Sequence, residues 1–292
     1  MSMPSESERL ARLWQLVFKP AAHLTTLELP TLHTGPEFHT DNALALAWLC
    51  QLTYEKDPET RQSTLNRAGM EEIAHHSTQN LHWSRLRSLT APDHHVLAFR
   101  GTADLQHWFF NLNTLLTSWP GGGKVHGGFA SAYKRLAKSL TDDLSCTPPK
   151  HLWITGHSLG GAFALFAANE HPNESVYTFG CPRAGSPRFA EACEAASRIH
   201  RVVHNQDIVT TIPYEISFLK EIAYKHVGSV THLRQDCPIA VEDETHLPHS
   251  RKFWREAVHA MIEGDHVGEP LPALLDHAPS LYVSRILEAA SL

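Results

Sequence analysis

The sequence predicts an α/β fold in which a mostly parallel central sheet is flanked by helices. Short apolar segments typical of buried strands alternate along the chain with segments of helical periodicity. This alternation is typical of parallel sheets that carry helices on both faces. One segment shows all three elements, a strand, a turn and a helix. There the apolar run His151–Ile154 leads through a glycine-rich turn into a small-residue helix that continues through Ala167.

Apolar spacing assigns the other elements in chain order. Apolar residues recur three and four positions apart in 8–18 and again in 41–54, which indicates two helices. The further assignments are strands at 95–99, 175–179 and 201–204 and helices at 129–144, 251–263 and 281–290. Residues 56–93 are polar and mixed, which indicates peripheral excursions, and residues 215–250 give no secure assignment.

Length and composition are those of an ordinary globular protein. The chain has 292 residues, of which 42% are hydrophobic and 19% charged, enough for one large α/β domain. No repeat or Gly/Ser linker interrupts it, so we expect a single domain over residues 1–292, with 1–36 as a peripheral N-terminal segment. The formal net charge of -6 gives no electrostatic reason to expect nucleic acid as a partner. The sequence does not indicate an oligomeric state.

Neither a membrane span nor a targeting segment is visible in the sequence. No apolar run approaches the ~20 residues that span a bilayer, and the N-terminus lacks the basic region, apolar stretch and cleavage site of a signal peptide. We therefore expect a cytoplasmic protein, although signal-independent export would leave no trace in the sequence. The five cysteines are scattered without C-x-x-C or zinc spacing, so neither a disulfide framework nor a metal site is expected.

The glycine-rich turn Thr155–Ala162 contains the pattern G-x-S-x-G centred on Ser158. Between a buried strand and a helix, this pattern is the nucleophile elbow of α/β-hydrolases, in which a strained turn lifts a serine hydroxyl above the sheet. Side chains at Gly156 or Gly160 would crowd the crossing of strand and helix. The helix N-terminus also brings unpaired N–H groups beside the reacting centre. We therefore predict Ser158 as a nucleophile.

A serine nucleophile requires a base and a carboxylate that orients the base, in the chain order Ser, Asp or Glu, His. Asp207 follows the predicted strand 201–204 and is flanked by apolar residues, so it is the predicted carboxylate. Several histidines follow it. His277, in a loop directly before the last helix, has the best context for the base, and His249 is the main competitor. His226 lies in a segment that looks like a strand, which favours a structural role.

An oxyanion hole requires two hydrogen-bond donors near the serine. The backbone N–H of Leu159, the residue after the nucleophile, is the first. The second is expected from the loop after an earlier strand, where Thr102 follows Phe99–Gly101 and can offer its backbone N–H.

With these residues in place, the chain resembles the class 3 lipase family, whose members include fungal triacylglycerol lipases and fungal feruloyl esterases. The resemblance extends over roughly residues 40–290 and rests on ordered motifs rather than on any single one. The motifs are Val96–Thr102, Val125–Phe129, Gly156–Ala162, Tyr177–Gly185, the Asp207 segment, and Asp276–His277 followed by Tyr282. The resemblance implies an α/β-hydrolase fold with Ser158, Asp207 and His277 as a catalytic triad and Thr102 with Leu159 as the oxyanion hole.

The resemblance also implies a short lid after the oxyanion loop. The corresponding stretch is 103–111, and the residues expected to form the lid or bind substrate are Leu105, Trp108, Phe109 and Phe110. Exposed apolar clusters of this kind often mark contact with a lipid or ligand. Family lipases commonly carry an aspartate three residues after the lid tryptophan, but this chain has Asn111, which removes a charge that could help order the oxyanion loop.

The expected activity is hydrolysis of carboxylic esters through an acyl-enzyme, without a metal or an organic cofactor. The aromatic lid favours lipid esters and contact with a lipid–water interface. A feruloyl, aryl or short-chain esterase on the same scaffold is the alternative, and phospholipase action is a third possibility. A non-catalytic binding protein with a hydrolase fold is disfavoured because serine, carboxylate and histidine are all present.

Overall fold

The fold is described by a computed structural model that covers residues 27–79, 81–101, 115–213, 223–234, 240–241 and 275–290. The helices predicted at 8–18 and 251–263 lie outside the described residues. The predicted oxyanion residue Thr102 and the whole predicted lid 103–111 lie outside them as well.

The described residues form six α-helices and ten strands. The helices are α1 Thr40–Leu52, α2 Pro58–Arg67, α3 Gly127–Cys146, α4 Leu159–Glu170, α5 Pro187–Ala196 and α6 Pro279–Ala290. The strands are β1 Met70–Thr78, β2 Leu81–Ser88, β3 His94–Arg100, β4 Leu116–Ser118, β5 Lys124–His126, β6 His151–His157, β7 Ser175–Phe179, β8 Ile199–His204, β9 Ser229–Leu233 and β10 Ala240–Val241. A 3₁₀ turn, Ile208–Thr211, follows β8. None of the helices in these ranges is both long and apolar enough to cross a bilayer.

Eight strands form one sheet in the order β1-β2-β3-β6-β7-β8-β9-β10, and β4 pairs with β5 in a separate hairpin. Strands β3, β6, β7, β8 and β9 are parallel neighbours, while the pairs at the two edges are antiparallel. The prediction of a mostly parallel sheet is therefore confirmed. The carboxyl ends of β3, β6, β7 and β8 meet at one edge, which is where ligands bind in open α/β sheets.

Two apolar cores lie on opposite faces of the sheet because side chains alternate along each strand. In β3, Val96 and Ala98 belong to the core under α1 and α6, whereas Leu97 and Phe99 belong to the core under α3, α4 and α5. Helix α4 is buried from its first residue through Ala168. A helix that is apolar all round fits only such a buried position, and this one holds the elbow firmly against the sheet.

The structure differs from the sequence prediction at residues 56–93, which form α2 and the strands β1 and β2 rather than peripheral excursions. Strand β1 is the outermost strand of the sheet and β2 lies between β1 and β3, and the buried carboxylate of Glu72 in β1 is paired. Arg61 contacts Glu72 at 2.9 Å, and Ser84 donates to the same carboxylate at 2.6 Å. The strand predicted around His226 was also wrong, because that segment makes only a single bridge, from Lys225 to Gly185, before β9 begins at Ser229.

Candidate active site

Ser158 stands at the sharp turn between β6 and α4 with φ 60° and ψ -130°. This conformation is costly for a non-glycine residue and is found mostly at functional sites. Its backbone N–H donates to the Phe179 carbonyl at 2.9 Å, which anchors the turn to β7. A Cβ at Gly156 would overlap the Gly160 carbonyl, and one at Gly160 would overlap the Phe99 carbonyl. Both glycines are therefore needed for the crossing, as the motif predicts.

The structure brings Asp207 and His277 together, although 70 residues separate them. The Nδ1 atom of His277 lies 2.8 Å from Asp207 Oδ2, and both side chains are 0% exposed. The ring of His277 is thereby oriented through Nδ1, with Nε2 left for chemistry. The competing His226 contacts the Thr210 carbonyl at 2.7 Å instead, and His249 lies outside the described residues.

The buried carboxylate of Asp207 has two further donors. The hydroxyl of Tyr282 donates to Oδ2 at 2.6 Å, and the Val209 N–H donates to Oδ1 at 2.9 Å. Three donors compensate for the loss of water around a buried charge. Burial, together with the charge of Asp207, holds the pKa of Tyr282 well above its ordinary value, so this hydroxyl stays a donor at neutral pH.

Gly180, directly after β7, brings the serine turn and the Asp207–His277 pair to one place. A Cβ on Gly180 would lie 2.6 Å from Asp207 Oδ2 and 2.9 Å from His277 Nδ1, while the preceding residue Phe179 binds the Ser158 N–H. Ser158 Oγ and His277 Nε2 are both buried and have no hydrogen-bond partner among the described residues. Catalytic hydrogen bonds are often long before substrate binds and tighten in the complex.

The oxyanion hole is described in part. Leu159 is the first residue of α4, and the first N–H groups of a helix have no acceptor within it. Gly101, directly before Thr102, packs against the serine, because a Cβ on it would lie 2.9 Å from Ser158 Cβ. The predicted lid and substrate residues, which are Leu105, Trp108, Phe109 and Phe110, lie outside the described residues together with Thr102.

Sequence reasoning missed three residues that hold this site. His157 hydrogen bonds through its two ring nitrogens to the Tyr54 hydroxyl at 2.9 Å and to the His277 carbonyl at 2.8 Å. Asp276 accepts from the Asn205 side chain at 2.9 Å, which ties the His277 loop to the segment after β8. His157 and Asp276 stand beside predicted catalytic residues, and a systematic look at such neighbours could have found them. Tyr54 carries no comparable signal in the sequence.

Potential metal ligands and cysteine thiols are further chemistry-bearing groups among the described side chains. No group of three or more His, Cys, Asp or Glu among the described residues could hold a metal ion. Cys50, Cys146, Cys181 and Cys193 are free thiols. Burial raises the pKa of Cys50, Cys181 and Cys193 to about 12, so these three are not nucleophilic thiolates at neutral pH.

Gly180→Ala is expected to lower kcat strongly, with a smaller effect on the free energy of unfolding. Its φ of 58° is left-handed, which costs a non-glycine residue about 1–2 kcal/mol, and the new Cβ would push Asp207 and His277 apart. We expect kcat for ester hydrolysis to fall about 10²-fold, since a displacement of this order has such an effect. Steady-state kinetics and urea unfolding measure the two changes.

Gly69→Ala is the matched control, because Gly69 has a φ of 76° and no atom within 4 Å of a Cβ built on it. It should lose a similar free energy of unfolding and keep its activity. Equal kcat values for the two variants would show that Gly180 does not support the Asp207–His277 pair.

Comparison with solved structures identifies the fold. The chain superimposes on the lipase from Rhizopus microsporus var. chinensis with a TM-score of 0.54 and 26% identity, over 72% of this chain and 83% of that one. Lipase II from Rhizopus niveus gives a TM-score of 0.53 and 25% identity, over 66% of this chain and 77% of that one. The sheet, the elbow and these structures define an α/β-hydrolase fold, as predicted.

The segment that holds the elbow also matches a protein family. Residues 96–217 match the family model for Lipase (class 3), so this segment is similar to the class 3 lipase family. The match contains Ser158 and Asp207 but ends before His277, which is placed by the geometry alone. The family resemblance predicted from the motifs is confirmed.

Curated relatives also match part of the chain. The lipase of Rhizomucor miehei is 33% identical over an alignment of 133 residues, and the match covers 40% of this chain and 37% of that protein. The chloroplastic phospholipase A(1) DAD1 of Arabidopsis thaliana is 32% identical over an alignment of 148 residues, and the match covers 40% of this chain and 33% of that protein. The chain therefore spans little more than a third of the length of these two relatives.

Proposed function

We propose that this protein is a serine hydrolase that cleaves lipid esters through an acyl-enzyme. The observation that carries the proposal is the buried Asp207–His277 pair, joined at 2.8 Å beside a serine on a strained strand-to-helix turn. A buried carboxylate that fixes one ring nitrogen of a histidine leaves the other nitrogen to act as a general base. The similarity of residues 96–217 to the class 3 lipase family supports the same chemistry.

The proposed reaction has two halves. His277 Nε2 takes the proton of Ser158 as Oγ bonds to the ester carbonyl, and the Leu159 and Thr102 N–H groups receive the negative oxygen. The intermediate collapses and expels the alcohol, which takes the proton from His277, so that Ser158 is left acylated. Water then attacks the acyl group with His277 again as base, and the acid and free serine are released.

Relatives that carry lipase and phospholipase names support lipid esters as the substrate class. One feature of the chain itself agrees with this. Leu115, the first described residue after 102–114, is 71% exposed and follows the predicted lid by four positions in the sequence.

The substrate class is tested with p-nitrophenyl esters from acetyl to palmitoyl, together with methyl ferulate and phosphatidylcholine. We expect initial rates that persist or rise toward long acyl chains, because an apolar lid and acyl groove gain binding energy with each methylene group, about 0.8 kcal/mol when fully buried. Ser158→Ala is the control for non-enzymatic hydrolysis of the activated esters.

Each other outcome contradicts part of the proposal. Turnover confined to acetyl esters or to methyl ferulate would assign a short-chain or aryl esterase and overturn the lipid assignment. Absence of turnover, together with absence of labelling of Ser158 by a fluorophosphonate, would overturn the assignment as a hydrolase.

A further inference from the structure

A hydrogen-bonded chain separate from the Asp207–His277 pair also reaches His277. It starts at His157, the residue before Ser158, whose Nε2 lies 2.8 Å from the main-chain oxygen of His277. A carbonyl oxygen only accepts, so Nε2 must carry a proton and donate it. The two imidazole rings also pack together with centroids 4.4 Å apart. Asp207 thus holds the ring of His277 while His157 holds its main chain.

The protonation state of His157 follows from its burial. The side chain is 0% exposed, and burial, followed by the neighbouring His277, holds the pKa of His157 well below its ordinary value. The ring is therefore neutral at physiological pH, with its proton on Nε2. Its Nδ1 is left as an acceptor that must be satisfied inside the protein.

Tyr54 satisfies that acceptor from the end of helix α1. Its hydroxyl lies 2.9 Å from His157 Nδ1 and, because Nδ1 accepts, the hydroxyl donates. The same hydroxyl also packs against Gly101, so closely that a Cβ built on Gly101 would be 2.5 Å from it. This contact and the two hydrogen bonds of His157 therefore connect the loop before the predicted oxyanion donor with the predicted base.

We infer that Tyr54 and His157 are positioning residues, which fix where His277 stands relative to Ser158 and to the oxyanion loop. The inference rests on the proposed hydrolase function. Asp207 constrains the His277 ring at Nδ1 only, so a shift of the loop around His277 would carry Nε2 away from the serine without breaking that bond. A misplacement of about 1 Å can lower the rate about 10²-fold. The bond from His157 opposes this shift from the side of the nucleophile.

Three variants test the hydrogen bond from His157 to the His277 carbonyl. His157→Leu removes the donor and is expected to lower kcat about 10²-fold with KM unchanged within about twofold. Tyr54→Phe leaves the donor but releases the ring of His157, and about a tenfold loss is expected. His157→Gln places an amide N–H near the position of Nε2 and should recover most of the activity that His157→Leu loses.

Matched controls separate positioning from loss of stability. His95 is a buried histidine near the amino end of β3, whereas the serine turn follows the carboxyl end of β6. Its Nε2 lies 3.1 Å from the main-chain oxygen of Pro92, so His95→Leu removes the same kind of bond. Tyr133 is a buried tyrosine whose hydroxyl donates to Glu170 at 2.8 Å, so Tyr133→Phe matches Tyr54→Phe. Both controls are expected to lower Tm as much as the test variants and to keep kcat.

Two results would overturn the inference. One is a kcat for Tyr54→Phe and His157→Leu equal to that of the controls at the same loss of Tm. The other is equal activity of His157→Gln and His157→Leu, which would show that the donor is irrelevant.

The proton NMR resonance of His277 Nδ1–H, shifted far downfield by its bond to Asp207, gives a readout independent of turnover. It should move or broaden in Tyr54→Phe and stay in place in Tyr133→Phe, and identical spectra for the two would also overturn the inference. If the wild-type protein hydrolyses no ester, the proposed function fails, while this resonance still decides whether Tyr54 and His157 position His277.

Discussion

Ser158→Ala is expected to lower kcat for ester hydrolysis by about 10⁶-fold, the loss seen when a serine hydrolase is deprived of its nucleophile. The buried thiols of Cys50, Cys181 and Cys193 remain protonated and cannot take the role. Alanine keeps a Cβ at the same left-handed backbone angles, so the fold should be unaffected. Stopped assays with long-chain esters measure kcat, and thermal unfolding measures Tm.

Ser158→Gly is the informative companion to that variant. Backbone strain of the kind found at Ser158, with its φ of 60°, costs about 1–3 kcal/mol, and glycine relieves it. Glycine also adds about 0.5–1 kcal/mol of conformational freedom to the unfolded chain. We therefore expect Ser158→Gly to be as inactive as Ser158→Ala and more stable than it by about 1 kcal/mol in urea unfolding. A less stable glycine variant would show that the turn is not strained, and an alanine variant with substantial turnover would rule out Ser158 as the nucleophile.

Much of the framework of this site was predictable because its signals are local. Strand β7 has the predicted bounds, 175–179. A short continuous apolar run between polar segments is typical of a buried strand and fits few other elements. The elbow could be predicted from its motif because the close packing of the turn allows only glycine at fixed positions. Asp207 and His277 could be placed by chain order and by their positions after a strand and before a helix, and the structure brings the two together.

The sequence alone does not show which residues far apart in the chain contact each other. Nothing near Tyr54 indicates that its hydroxyl meets His157, a residue 103 positions away, because that contact depends on how α1 packs over the sheet. The strands β1 and β2 were missed for a different reason. Their polar residues break the apolar pattern, and only burial of the Arg61–Glu72 pair within the fold shows that these charges belong inside. The roles of Thr102 and the lid residues stay predictions, since these residues lie outside the described ranges.

Asp207→Asn is expected to lower kcat about 10⁴-fold, although the change is nearly isosteric. If the amide nitrogen takes the place of Oδ2, it meets the donors His277 Nδ1–H and Tyr282 O–H, and the histidine proton moves to Nε2, where it blocks the base. If the amide nitrogen takes the place of Oδ1 instead, it faces the Val209 N–H, which donates to that oxygen at 2.9 Å. The first orientation opposes two donors and the second opposes one, so the variant should also lose stability. Kinetics on long-chain esters and urea unfolding give both numbers.

Variants of two neighbouring groups, Tyr282 and Asp276, test whether the carboxylate of Asp207 is itself required to orient His277. Tyr282→Phe keeps the carboxylate and the histidine tautomer while removing one charged hydrogen bond, so only about a tenfold loss is expected. Asp276 is the neighbouring carboxylate, and its oxygen accepts from the Asn205 side chain and the Gln206 N–H rather than from the His277 ring. Asp276→Asn should therefore affect kcat far less than Asp207→Asn. The reverse order would move the orienting role to Asp276, because only the group bonded to Nδ1 can set which nitrogen of His277 carries the proton.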